Sequence, residues 1–146
     1  AASGFTRLLN WQVEPFLIAS TVKGILAQRL VRRICKECKE PYKPEPEELI
    51  MTGIDPDKPI KAFKGKGCLS CRNTGYKGRI GIYELLLVDG EISELVLQQA
   101  PGYRIREQAQ ENGMTTLLED GVIKVERGDT TISELYETLG TTKIVL

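Results

Sequence analysis

The chain predicts an α+β fold, mostly helical, with a little strand and a four-cysteine excursion. Three observations point that way. All four cysteines stand in two matched Cys-x-x-Cys pairs, a run rich in β-branched and aromatic residues follows the second pair, and helix start and stop signals alternate through the last third.

With 146 residues, 41% of them apolar and 27% charged, the chain can bury one sizeable core or two small ones. The longest apolar runs, such as "LLLV" at 85–88, fall far short of the roughly 18 residues a membrane span needs. The first residues carry no basic start, apolar stretch and small-residue cleavage pattern. A soluble intracellular chain is expected.

The elements follow in order. "SGFTRLLN" puts Phe5, Leu8 and Leu9 at helical spacing, and Pro15 restarts the chain for a second short helix through "PFLIAST". "GILAQRLVRRIC" fits two periods. Leu26, Leu30 and Ile34 lie on one face of a helix at a spacing of four, and they also share one face of a strand with Gln28 and Arg32 between them. Five of the seven prolines fall between residues 41 and 67, where "EPEELIMTG" still reads as one helix begun near Pro46 and stopped at Gly53. "KGKG" at 64–67 reads as a turn feeding Cys68. "TGYKGRIGIYELLLVDG" reads as a strand that ends at Asp89-Gly90.

The remainder is helical. Ile92, Leu95 and Val96 share a face of "ISELVLQQA", which Pro101-Gly102 ends. Thr116-x-x-Glu119 and Thr131-x-x-Glu134 match the capping-box pattern, each opening a short helix, and Gly128 and Gly140 stand where the stops belong.

Cys35 and Cys38 are two residues apart, as are Cys68 and Cys71, with 29 residues between the pairs. Two such turns can aim four thiolates at one centre, and four thiolates at about 2.3 Å form the closed tetrahedral shell of a structural zinc. Arg32, Arg33, Lys36 and Lys39 flank the first pair, and Lys66 and Arg72 the second. These cations are expected to lower the thiol pKa values and to offset the charge of the thiolate site. Two disulfides compete with this reading but need an oxidising compartment. A redox Cys-x-x-Cys needs a strand-to-helix context that neither pair has, and iron fits the same sulfurs but without an electron-transfer setting here.

Charge is segregated within a net balance of zero. Seven basic residues lie between Lys23 and Lys43 and seven more between Lys58 and Tyr83, whereas residues 84–140 hold twelve acids against four bases. Such a split points to complementary faces more often than to a nucleic-acid surface. No phosphate-binding Gly-x-x-x-x-Gly-Lys-Ser/Thr loop occurs, and the absence of histidine excludes histidine-based triads. The chain has no recognisable catalytic residues of its own.

"FTRLLNWQVEPFLIASTVKGILAQRLVRRICKECKEPY", "GCLSCRNTGYKGRIGIYELLLV" and "GMTTLLEDGVIKVERGDTTISEL" together resemble the C-terminal region of the ATPases of type II secretion and type IV pilus assembly. The resemblance implies that the family's zinc module maps onto Cys35, Cys38, Cys68 and Cys71. It implies that "GILAQRLVRRIC" is a strand paired with "GRIGIYELLLV", with the metal-bound excursion projecting between them. The expected fold is then α+β, mostly helical with a small antiparallel sheet and a four-cysteine zinc-binding excursion. The expected divisions are 1–34 as the end of an ATPase core, 35–76 as the zinc module, 77–140 as a strand plus helical subdomain, and 141–146 as a tail.

The resemblance further implies a hexameric cytoplasmic motor, peripheral at the inner membrane through a platform protein. ATP and magnesium would be bound by the parent protein alone, so this piece is expected to be inactive and to serve packing and docking. Lys36, Lys39, Lys64, Lys66 and Arg72 are the docking cations this reading expects. The rival is a zinc-ribbon nucleic-acid binder; the knuckles carry few aromatics for stacking and no base-reading helix, so no nucleic acid is expected.

Overall fold

The computed structural model describes the backbone of residues 1–144 and the side chains of residues 1–140. Helices α1 (Ser3–Asn10) and α2 (Pro15–Thr21) lead into strand β1 (Gly24–Ile34). The excursion holds strand β2 (Lys39–Tyr42), helix α3 (Pro46–Thr52) and strand β3 (Ala62–Gly65). Strand β4 (Tyr76–Leu87) returns the chain to helices α4 (Gly90–Leu97), α5 (Gly102–Glu111), α6 (Leu117–Glu126) and α7 (Ile132–Ile144). The α+β architecture expected from the sequence is what forms.

Two compact units result: residues 1–28 with 83–116, and residues 29–82 with 117 onward. Strands β1 and β4 pair with each other and run through both units. Their pairing is antiparallel: the Val88 N–H donates to the Lys23 carbonyl at one end, and the Cys35 N–H to the Gly75 carbonyl at the other, each 3.0 Å or less. The strand alternative for "GILAQRLVRRIC" therefore wins, because only an extended segment can exchange this ladder with β4.

The first unit is built on Phe5, Ile18, Leu86, Ile92, Leu95, Val96 and Ile105, all buried. The expected apolar face of α4 is thus the buried one. Asp89 caps that helix by accepting the Ile92 N–H at 2.9 Å, so the end of the strand also starts the helix. Helix α5 has Pro101 at its N-cap and buries Ile105 and Ala109.

The second unit buries Val31, Leu49, Ala62, Ile82, Val125, Ile132, Leu135 and Leu139. Helix α3 starts at Pro46 and ends at Gly53, whose φ of 80° is the left-handed C-cap conformation the sequence foretold. Two small strands went unforeseen: β2 and β3 pair antiparallel, Lys39 opposite Gly65 and Tyr42 opposite Ala62. The first half of "KGKG" is therefore strand, not turn.

Leu26, Leu30 and Ile34 occupy alternate, same-face positions of one strand, yet Leu26 and Leu30 are exposed whereas Ile34 is buried. Val31, on the opposite face, is buried too, so β1 is covered on both faces only toward its end. One expectation needs correction. Gly140 does not stop the last helix, since α7 continues to Ile144. One glycine weakens a helix by about 1 kcal/mol, which the burial of Ile132, Leu135 and Leu139 offsets. The side chains of the expected tail at 141–146 lie outside the described residues.

Candidate metal centre

Each Cys-x-x-Cys pair sits in a tight turn at the point where a strand ends or is about to begin. Cys35 follows the last residue of β1, and its N–H is tied to the Gly75 carbonyl. In the second pair the Asn73 N–H bonds the Cys68 carbonyl at 2.8 Å, and Arg72 and Asn73 take φ values of 56° and 61° to close the turn. The Lys66 N–H donates to the Cys38 carbonyl and so laces the two turns together.

All four sulfur atoms lie within 4.8 Å of one another. The Cys35–Cys68, Cys38–Cys71 and Cys68–Cys71 Sγ separations are 3.7, 3.8 and 3.6 Å. A tetrahedron with metal–sulfur bonds of about 2.3 Å has edges of about 3.8 Å. These separations fit a four-thiolate metal and are too long for disulfides, whose sulfurs sit about 2.05 Å apart. All four thiols are free, three of them buried. The donor set thus suits zinc, and among the described residues the metal-binding group consists of these four cysteines.

Backbone amides tune the thiols. Burial pushes Cys71 up, but the N–H groups of Gly75 and Cys68, at 3.2 and 3.3 Å from its sulfur, and the neighbouring thiols outweigh it and bring the group down to about 6. Cys38 goes the other way: burial pushes it up to about 12, the Gly67 N–H opposes, and the other three thiols add to the rise. Two of the expected cations are engaged elsewhere. Arg32 instead pairs with Glu134, and the Lys39 amine lies 3.5 Å from the Gly128 carbonyl and 5.6 Å from the centroid of the Phe63 ring.

The five expected docking cations are all exposed; the Lys64 amine stands 5.5 Å over the Tyr42 ring and Lys39 is engaged as above. Leu69, at the tip of the second knuckle, is 94% exposed.

Sequence reasoning missed a polar cluster beside the cysteines. The Glu134 carboxylate accepts the Arg32 N–H at 2.8 Å, its Nε at 2.9 Å and its Nη2 at 2.7 Å, while the Arg32 guanidinium lies 4.0 Å from the Tyr76 ring centroid. The hydrogen bond to Glu134 is the main reason the Arg32 pKa is raised. Thr131 does cap α7 by accepting the Glu134 N–H at 3.1 Å, but the Glu134 side chain reaches Arg32. In the sequence Glu134 stands only as a capping-box glutamate 102 residues from Arg32, which gives no sign of the pairing.

The model of the type II/IV secretion system protein family matches residues 1–137. The chain belongs to that family. Among similar proteins, the type IV pilus assembly ATPase PilB of Thermus thermophilus is 44% identical over 92% of this chain and 15% of its own length. The type II secretion system protein E of Pseudomonas aeruginosa is 38% identical over 92% of the chain and 27% of its own length. The type II secretion system ATPase E of Vibrio cholerae is 39% identical with the same coverage. This secretion-family chain therefore spans about a quarter or less of the relatives it matches. Among the described residues, no helix is long and apolar enough to cross a membrane.

Proposed function

We propose that this chain is the zinc-bearing part of a hexameric ATPase that powers type II secretion or type IV pilus assembly, with Cys35, Cys38, Cys68 and Cys71 holding the zinc. The observation that carries the reading is the tetrahedral spacing of four thiols inside a chain of the secretion family. Zinc bound there supplies a structural crosslink with no coordination position left for catalysis. Residues 35–76 form the zinc module between the end of the ATPase core at 1–34 and the helical subdomain at 77–140. ATP and magnesium bind elsewhere in the parent protein, and this part alone does not hydrolyse ATP.

The exposed Lys36, Lys66 and Arg72 on the knuckles support a docking role, toward a neighbouring subunit or the inner-membrane platform protein of a cytoplasmic motor. In the first unit Leu26, Leu85 and Leu87 are exposed on the outer face of β1 and β4, which supports packing within a larger assembly. The test is charge reversal: Lys36→Glu, Lys66→Glu and Arg72→Glu combined in the full-length motor. Zinc content is expected to stay at one per chain while co-purification with the platform protein falls at least about tenfold. Undiminished complex formation would refute the docking role, and loss of zinc would reassign these cations to the metal site.

A further inference from the structure

The corner between α6 and α7 is bonded, residue after residue, to the segments that carry the cysteines. Gly128 accepts from the Lys39 amine at 3.5 Å. The Asp129 carbonyl accepts the Ile34 N–H at 2.9 Å. The Thr130 hydroxyl donates to the Arg32 carbonyl at 2.8 Å, and the Thr131 hydroxyl bonds the Tyr76 hydroxyl at 2.8 Å. One helical turn on, Glu134 takes three bonds from Arg32.

Four consecutive corner residues thus touch both flanks of the metal site. Ile34 directly precedes Cys35, Lys39 directly follows Cys38, and Tyr76 opens the strand after Cys71. On the corner side Thr130, Thr131 and Glu134 are all buried. Buried polar groups of this kind keep their position only while their partners hold still.

A metal at the centre would add a crosslink to what holds these partners still. A pair of four-residue strands such as β2 and β3 is marginal on its own, and the Cys35, Cys38 and Cys71 side chains form a small buried cluster apart from the larger core. Without a crosslink only single backbone bonds, Cys35 N–H to the Gly75 carbonyl and Lys66 N–H to the Cys38 carbonyl, tie the knuckles at the ends of β1 and β4, and the corner's donors and acceptors loosen with them.

We propose that zinc loading at the four cysteines and docking of the α6–α7 corner are one coupled transition, with Arg32 and Glu134 as positioning residues rather than ligands. The proposal rests on the zinc reading above. Its logic is reciprocal: whatever factor zinc adds to corner docking, the docked corner adds to zinc affinity. A corner held by groups beyond the ligands, as in other metal sites, changes metal affinity by a factor of about 10 to about 100 when broken.

The experiment uses the chain as it is, with zinc affinity from competition against a chromophoric chelator and amide exchange with and without zinc. Glu134→Gln removes the carboxylate charge that faces Arg32 at constant size; Thr130→Val removes one neutral bond, in case the first variant does not fold. Asp120→Asn, on α6 away from the corner, is the control. Both corner variants are expected to weaken zinc binding at least about tenfold and about threefold respectively, the control less than about twofold. Stripping zinc from the unmodified chain is expected to speed exchange of the Arg32, Ile34 and Glu134 amides at least about tenfold. Unchanged affinity in the corner variants, or unchanged protection of those amides in the stripped protein, would overturn the coupling and leave the zinc site standing. A chain that takes up no zinc would overturn both.

Discussion

Gly65 and Gly75 pass each other with no space for a side chain on either. A Cβ placed on Gly65 would fall well inside contact distance of the Gly75 backbone, and one on Gly75 would meet the Gly65 carbonyl. Gly75 also holds φ at 82° and, through its N–H, supports the Cys71 sulfur at 3.2 Å. This crossing closes the loop that carries Cys68 and Cys71. Gly75→Ala is expected to lower stability by about 2 kcal/mol or more and to reduce zinc per chain, whereas Gly78→Ala, with positive φ but open space, is expected to cost about 1 kcal/mol with zinc unchanged. Thermal melts with parallel zinc analysis separate the two; equal effects would contradict the close-crossing account.

Much of this arrangement was legible in the chain itself. The two short opening helices, the proline-started and glycine-stopped α3, the Asp89-Gly90 strand end and the four grouped cysteines all depend on local chemistry: caps, φ preferences and ligand spacing. What could not be read depends on contacts distant in sequence. Arg32 reads as a counter-charge for thiolates until Glu134, 102 residues away, is found beside it. Leu26, Leu30 and Ile34 are alike in composition and spacing, and only packing shows that Ile34 is covered while Leu26 and Leu30 are exposed. The β1 conformation itself was ambiguous because spacings of two and of four coincide over three residues, and pairing with β4 decides it.

Two leucines of opposite environment test where the cores lie. Leu135 is fully buried in the second unit, and Leu69 sits bare on the second knuckle. Leu135→Ala is expected to cost about 2 to about 5 kcal/mol by denaturant titration, and Leu69→Ala less than about 0.5 kcal/mol. A large cost at Leu69 would mean that the knuckle tip is covered in solution.

Asp89 joins strand end to helix start. Its carboxylate accepts the Ile92 N–H and, at 2.7 Å, a hydrogen from the Asn112 side chain, so it ties α4 to the end of α5. Asp89→Ala is expected to destabilise the chain by about 1 kcal/mol, and Asp89→Ser, which keeps a capping oxygen, by less. Equal losses in the two variants would place the effect in the Asn112 bond and not in the cap.

Zinc binding must depend on pH in a definite sense. In the metal-free fold Cys71 is lowered to about 6, so its contribution to stability is present above the ordinary thiol value and is lost as pH falls through about 6. Cys38 is raised to about 12, so its contribution is present below the ordinary value and is lost as pH rises toward about 12. Between about pH 6 and about pH 8 Cys38 carries its proton, and zinc must displace it. At least one proton then leaves per zinc bound, and apparent affinity is expected to rise about tenfold or more per pH unit. Chelator competition across that range measures the slope, and a flat profile would contradict zinc binding through these thiols.

The most direct test of the central claim is the zinc content of the purified chain, taken with thermal melts before and after a strong chelator. One zinc per chain, and a melt lowered by more than about 10 °C on chelation, is the result this structure predicts. Metal-free protein whose melt ignores the chelator would contradict it.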